Sequence, residues 1–382
     1  MTGILNKEQE SELLLRGFTR RSFFRFAAMV AGASAMPFYD EPAMAQLSKI
    51  TNVPPGAVLI NANENPLGPC PEAREACKNI VDQGGRYLYS ETDKLQAAMA
   101  AHEGLDLDSV RIFVGSSPAL HQTVLAFTSP TKPLVTANPG YEAGGRAAKF
   151  IGSPVINVPL TSTYAHDVKA MAAASKNAGL IYICNPNNPT GTLTPKSEIE
   201  WLVDNKPAGS IVMIDEAYTH ISGAPFNSDL VAKGKDVVIL RTFSKIFGMA
   251  GLRAGAAFAR PDLLEKINGW SATMMPITGM AAATASMQAK DLVPTRRAII
   301  AGVREDTFNF LEKNNFKYIP SVSNCFMADT GRPGMEVVMA MRKENVFIGR
   351  VWPIWPNWVR VTVGTADEMK KFQVAYKKVM CA

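Results

Sequence analysis

The sequence predicts an α/β protein: a large domain with a mainly parallel sheet between helices, followed by a smaller α+β domain. Three observations lead there. Apolar runs at "VRIFVG" (110–115), "PLVTA" (133–137), "GLIYICNP" (179–186), "SIVMIDEA" (210–217) and "DVVILRTFS" (236–244) each end on polar or glycine-rich turns, with helical patterns such as "PKSEIEWLVDN" between them. Continuous apolar strands separated by helices mark a parallel sheet covered on both faces. The polar clusters "NPNNPTG", "DEAY" and "TFSK" fall at the carboxyl ends of such strands, where open α/β sheets bind their ligands. After about residue 265 the texture changes to a long Ala/Met/Thr-rich helical stretch (270–290), a second helical run, and short strands near 321–328 and 358–364.

The bulk numbers agree with that size of fold. The chain has 382 residues, 47% of them hydrophobic, enough for a large core and for two domains. Its net charge of +6 comes from scattered basic residues, which points to solubility and anionic substrates rather than to nucleic acid. The five cysteines, Cys70, Cys77, Cys184, Cys325 and Cys381, are odd in number and irregularly spaced, without a CxxC; this is neither a disulfide framework nor a zinc site. The four histidines lie apart from one another and from the cysteines, so no metal is assigned.

Taken in order, the first segment, 1–45, reads as an export signal. Thr19-Arg20-Arg21-Ser22-Phe23-Phe24-Arg25 resembles the twin-arginine signal of bacterial export, an apolar run follows from Phe26 to Met36, and Ala43 and Ala45 supply the small residues before a cleavage point. The apolar run is far shorter than the roughly 20 residues that span a membrane, so no stable membrane anchor is expected. The bland alternative is an amphipathic N-terminal helix with a chance Arg-Arg pair. Cleavage would leave a mature, periplasmic chain starting near Gln46, exported already folded around its cofactor. Residues 46–74 are expected to pack with the small domain, 75–265 to form the large domain and 266–382 the small one.

The chemistry concentrates at Lys245, in "RTFSKIFGMAGLRAG" (241–255), at the tip of the strand-like run 236–240. A buried ammonium is costly unless it is paired or chemically converted. A lysine amine attacks carbonyls, best where its site lowers its pKa, and pyridoxal phosphate is the common partner. That cofactor needs an anion cradle, an acid facing its ring nitrogen, donors to its phenolic oxygen and a flat group against the ring.

Together and in this order, "CNPNNPTGT" (184–192), "DEAY" (215–218) and the lysine motif resemble the fold type I pyridoxal-phosphate aminotransferases of class I/II. "LINANENPLGP" (59–69) and "RVTVGT" (360–365) narrow the resemblance to the histidinol-phosphate aminotransferase branch, over nearly all of the mature chain. The resemblance implies that Lys245 links covalently to the cofactor and then shuttles the substrate proton, and that Asp215 keeps the ring nitrogen protonated. It makes Asn188 and Tyr218 donors to the phenolic oxygen, Ser244 and Arg253 phosphate ligands, and Tyr141, in "NPGYEAGG", the stacking aromatic. Tyr87, in "GRYLYS", matches a tyrosine that reaches the phosphate of a neighbouring subunit, which implies a homodimer. Arg360 matches the arginine that grips the substrate carboxylate, Arg350 stands where this branch reads a distal phosphate, and Asn63 joins the substrate side. Each has a bland reading: a surface lysine, turn or capping acids, Asn-Pro turns, core or rim tyrosines and a solvated rim arginine.

The sequence also departs from the pattern. At the first strand–helix junction, "VGSSPALHQ" stands where the family has a glycine-rich turn followed by an acid. Ser117 is expected as the helix cap and Pro118 in the first turn, with phosphate contacts from Ser116, Ser117 and Ala119; Pro118 has no N–H to offer. Leu88 replaces the proline usual after the subunit-crossing tyrosine. "RVWPIWPNWVR" puts Trp352, Trp355 and Trp358 between the two substrate arginines, either as small-domain core or as walls for a bulky side chain.

The expected activity is ping-pong amino transfer, through a pyridoxamine form, from an L-amino acid or amino-alcohol phosphate to 2-oxoglutarate. Rivals are a decarboxylase resembling threonine-phosphate decarboxylase, an aromatic amino acid aminotransferase, and a non-catalytic ligand-binding protein that keeps the fold. A transcriptional regulator would need a DNA-binding domain that the N-terminal residues do not supply.

Overall fold

The computed structural model describes residues 7–19, 53–270 and 274–381. The twin-arginine stretch from Arg20 onward and the expected cleavage point lie outside the described residues. What precedes them is folded: a helix at Lys7–Leu15 lies on the large domain, with Leu13 and Phe18 buried against Leu125 and Ile151.

A short strand, β1 (Val58–Ile60), leads into the helices Pro71–Val81 and Tyr89–Glu103. The central sheet then uses β2 (Val110–Phe113), β3 (Leu134–Asn138), β4 (Val155–Pro159), β5 (Leu180–Cys184), β6 (Ile211–Asp215), β7 (Val237–Thr242) and β8 (Gly255–Phe258), in the order β2-β8-β7-β6-β5-β3-β4. Only β8 runs against its neighbours; the pairs β7–β6, β6–β5, β5–β3 and β3–β4 are all parallel. The strands β5, β6 and β7 are buried at every residue, which is why they read as unbroken apolar runs: a sheet covered on both faces leaves no polar side to alternate with.

Two strands of the central sheet escaped the sequence reading. In β4, "VINVP", two residues are half-buried and two are exposed, at the sheet edge. In β8, "GAAF" is all buried, yet glycine and alanine are poor strand formers. The glycine of β8 is required by crowding: a Cβ on Gly255 would lie 2.6 Å from the Gly115 carbonyl carbon and 2.8 Å from the Ser116 nitrogen.

In the C-terminal part, β10 (Cys325–Asp329) pairs antiparallel with both β9 (Tyr318–Ile319) and β12 (Trp358–Thr362). A separate pair joins β1 in parallel to β11 (Val346–Ile348), tying the chain just after residue 53 to the small domain. The Ala/Met-rich helix Ile277–Gln288 packs chiefly against Pro71–Val81 and Tyr89–Glu103. The main hydrophobic core runs without a break through both parts.

Candidate active site

The carboxyl ends of β5, β6 and β7 and the N-terminus of the helix Ser116–Phe127 surround one cavity. Its walls include Ser116, Ser117, Tyr141, Asn188, Asp215, Tyr218, Ser244, Lys245 and Arg253. Residues from sequence positions as far apart as 116 and 253 meet because parallel strands deliver all their carboxyl ends to the same edge.

Asp215 is the last residue of β6 and is 3% exposed. Its Oδ2 accepts a hydrogen bond from the Tyr182 hydroxyl at 3.0 Å, and its Oδ1 accepts from the Ala217 N–H at 3.1 Å. Burial pushes this carboxyl up to about 6, with Tyr182, Ala217 and the nearby Lys245 drawing it back down. Its two hydrogen-bond donors are neutral, so the acid is poised for a cation inside the cavity.

Lys245 follows β7 by three residues and is 9% exposed. Its Nζ donates to the Asn63 carbonyl at 2.9 Å and lies 5.5 Å from the Tyr218 ring centroid. The Tyr218 hydroxyl accepts from Asn63 Nδ2 at 3.0 Å and from Asn188 Nδ2 at 3.4 Å. Amine, phenol and amides therefore form one hydrogen-bonded cluster at the cavity that Asp215 also lines.

The opposite end is built for an anion. Arg253 has φ 58°, and its Nη1 donates to Ser244 Oγ at 3.4 Å and to the Ala250 carbonyl at 3.0 Å, while Nη2 reaches the Val114 carbonyl at 3.2 Å. Next to it the helix Ser116–Phe127 begins. Its cap is Gly115, at φ 81°, and not the expected Ser117, with no side-chain capping bond. The reason is space: a Cβ at Gly115 would stand 2.4 Å from Arg253 Nη2, so only glycine brings the backbone this close. Ser116 and Ser117 open the first turn, where N–H groups lack intrahelical partners. Pro118 also falls in that turn, so its missing N–H removes a donor from the anion end and not from the helix ladder. Ala119 is fully buried and is not part of the cavity wall.

Of the other expected residues, Tyr141 walls the cavity as anticipated, whereas Tyr87 is 69% exposed and lies away from it. Arg360 is completely buried on β12; its Nη1 donates to Asn188 Oδ1 at 3.0 Å and its Nη2 to the Asn61 carbonyl at 2.7 Å. Asn63, at φ 52°, is not part of the cavity wall itself but backs it, bonded to Lys245 and Tyr218. Its amide bridges Tyr218 to Thr362, and Ala62 and Glu64 line the wall in its place. Arg350 is paired with Glu142. Trp352 is 1% exposed and packs with Ile319 and Met327, with Trp355 and Trp358 at its side; none of the three tryptophans faces the cavity.

Sequence reasoning missed Tyr182, hidden in an apolar strand, and a buried cluster behind the site. Arg241 on β7 donates to both Glu103 carboxylate oxygens and to Glu216, the residue after Asp215. Glu216 Oε1 in turn accepts from the backbone and side chain of Asn227, at 2.9 and 2.8 Å. Burial would raise the Glu103 carboxyl, but the His102 hydrogen bond and Arg241 hold it down to about 2. The available signal was two charges, Arg241 and Glu216, beside otherwise apolar strands. Cys184 also lines the cavity; burial, with the Asp215 charge adding, pushes its thiol well above the ordinary range, so it stays protonated and is no nucleophile.

These parts fit pyridoxal phosphate: an amine for its carbonyl carbon, a buried acid for its ring nitrogen, and a crowded arginine–serine–helix corner for its phosphate. The comparisons with known proteins agree. The family described as aminotransferase class I and II matches residues 56–375. A histidinol-phosphate aminotransferase of Symbiobacterium thermophilum is 32% identical over 328 residues, 85% of this chain and 90% of that protein. An aromatic amino acid aminotransferase of Cutibacterium acnes is 32% identical over 318 residues, 82% and 89% of the two chains. Among solved structures, the Sinorhizobium meliloti histidinol-phosphate aminotransferase in complex with pyridoxal-5'-phosphate shares the fold with a TM-score of 0.80 at 24% identity, covering 91% of this chain and 96% of that one.

Proposed function

The chain belongs to the aminotransferase class I and II family, and from that premise we propose a pyridoxal-phosphate-dependent transaminase of the histidinol-phosphate type. It moves an amino group from an L-amino acid or amino-alcohol phosphate to 2-oxoglutarate. One observation carries this reading: Lys245 and Asp215 wall the same cavity from the tips of adjacent parallel strands, with the Arg253–Ser244 corner at its other end.

When bound, pyridoxal phosphate supplies an electron sink for the pair of electrons left on the donor carbon. Everything else is the work of this chain. Arg253, Ser244 and the first turn at Ser116–Ser117 anchor the phosphate. Asp215 would face the ring nitrogen and, as a carboxylate, would hold a proton there. Asn188 and Tyr218 would hold the ring oxygen, and Tyr141 would cover the ring. Lys245, whose amine stands at the cavity, would be the base that takes the proton from the donor Cα and the acid that gives it back. Arg360 offers its fork to the donor carboxylate by exchanging the Asn61 carbonyl and Asn188 for it.

The reading extends to assembly and place. Exposed Tyr87 reaches the phosphate of a second copy in a homodimer, and the Arg20-Arg21 motif with Ala43 and Ala45 sends the folded enzyme to the periplasm; the support for both is the sequence pattern. The test is direct. Purified protein is expected to be yellow, to lose that colour with an amino donor, and to form glutamate from 2-oxoglutarate, and Lys245→Ala abolishes all three. A colourless protein with no borohydride-trapped adduct on Lys245, or one that releases carbon dioxide without glutamate, overturns the proposal.

A further inference from the structure

Arg350 was expected to read a distal phosphate on the donor, but its guanidinium is already engaged. Its Nη2 donates to Oε2 of Glu142, the residue directly after cavity-lining Tyr141. Glu142 occupies the cap position of the helix Ala143–Phe150, yet its side chain makes no capping bond; the carboxylate serves Arg350 instead. The Arg350 side chain is only 10% exposed, against 34% for Glu142.

The two loops that carry the pair are pinned together. Trp352 Nε1 donates to the Gly140 carbonyl at 3.0 Å, Arg350 lies 4.2 Å from the Trp352 ring centroid, and the Arg350 carbonyl accepts from the Arg360 N–H at 3.0 Å. Arg360 lies over the same indole, 5.6 Å from its centroid. The candidate carboxylate reader and the candidate phosphate reader thus share one tryptophan, and the second is paired with an acid, Glu142.

We propose that Glu142 is a specificity-determining residue: by occupying Arg350 it turns the enzyme away from donors with a distal phosphate and toward L-α-amino acids with neutral side chains. The proposal rests on the aminotransferase reading of this site. A distal phosphate has to displace Glu142 from Arg350 and then lie beside the displaced carboxylate, so like charges oppose it. A neutral side chain leaves the pair intact. Discrimination of this kind works through an element that repels the wrong ligand, not only through contacts with the right one.

The experiment compares the holoenzyme with Glu142→Gln, using phenylalanine and histidinol phosphate as donors. Wild type favours phenylalanine. Glu142→Gln raises the ratio of kcat/KM for histidinol phosphate over phenylalanine by about tenfold, and the rise disappears when Arg350→Met is added. Histidinol phosphate binding, followed by tryptophan fluorescence, tightens in Glu142→Gln to a similar degree. A wild type that prefers histidinol phosphate, or a Glu142→Gln protein with unchanged ratio and affinity, overturns the proposal. A protein that forms no glutamate with any L-amino acid or amino-alcohol phosphate overturns the proposed function instead, and the binding measurement, which needs no turnover, still decides the role of Glu142.

Discussion

Tyr182 on β5 reaches across to the neighbouring strand and donates its hydroxyl to Asp215 Oδ2 at 3.0 Å, with both side chains out of water. The bond orients the acid and favours its ionised form. Tyr182→Phe removes it at little change in volume. A hydrogen bond to a charged group contributes about 1.5–3 kcal/mol, so kcat is expected to fall by about tenfold or more. Single-turnover bleaching of the cofactor band measures this; an unchanged rate would show that Tyr182 only fills space.

Asp215 also predicts a pH dependence. Its carboxyl stands near 6 in the fold instead of the usual 3.8, chiefly through burial. An acid raised in this way binds more protons folded than unfolded, so stability is greatest below about 3.8 and is lost as pH climbs through about 6. The difference corresponds to about 3 kcal/mol. Urea titrations of protein stripped of cofactor should show that loss, and Asp215→Asn should not. Added pyridoxal phosphate should cancel it by giving the carboxylate a cationic partner.

The Arg241 cluster behind the site should be stability-critical. Arg241 and both of its partners, Glu103 and Glu216, have side chains no more than 2% exposed. Arg241→Met strands two buried carboxylates, and breaking a buried pair from one side costs about 3–5 kcal/mol. Denaturant midpoints should drop accordingly. Because Glu216 follows Asp215 directly, cofactor affinity should weaken in the same variant, as read by equilibrium dialysis. A variant as stable as wild type would show that the cluster contributes nothing.

At the N-terminus, Arg16 closes the far end of the phosphate-facing helix. Its Nη2 donates to the carbonyls of Leu125, Ala126 and Thr128 at 2.7, 3.0 and 3.1 Å. These are C-terminal carbonyls that the helix leaves unpaired, and a cation there also meets the negative end of the helix dipole. Arg16→Ala should destabilise the full chain by about 2 kcal/mol. A chain beginning at Gln46 should lose at least as much, since it also uncovers Leu125 and Ile151. Equal urea midpoints for the full chain and Arg16→Ala would dismiss the contact.

Much of the fold was legible because burial on both faces leaves a plain mark: β5, β6 and β7 are buried at every residue, and β6 and β7 turn polar only at their carboxyl ends. The strand β8 was not, because its Gly255 answers to the closeness of Gly115 and not to strand propensity. The lysine, the acid and the asparagine of the site stood out as polar residues at strand tips. Tyr182 did not, because a tyrosine in an apolar run looks like core until its neighbour across the sheet is known. Ser117 looked like the helix cap by residue type, but the position that had to turn under Arg253 was Gly115.

What the chain by itself determined was the order of apolar strands and the polar residues at their ends, hence the sheet and the chemistry at Lys245 and Asp215. Both are local consequences of burial and of residue type. What only the tertiary structure decided was the pairing of distant charges: Glu142 with Arg350, 208 positions apart, Arg241 with Glu103, 138 apart, and Asn63 behind Tyr218, 155 apart. An arginine reads the same in sequence whether it is open to a substrate or held by a carboxylate. Coulomb attraction depends on separation in space and on the water removed around it, and neither is written along the chain.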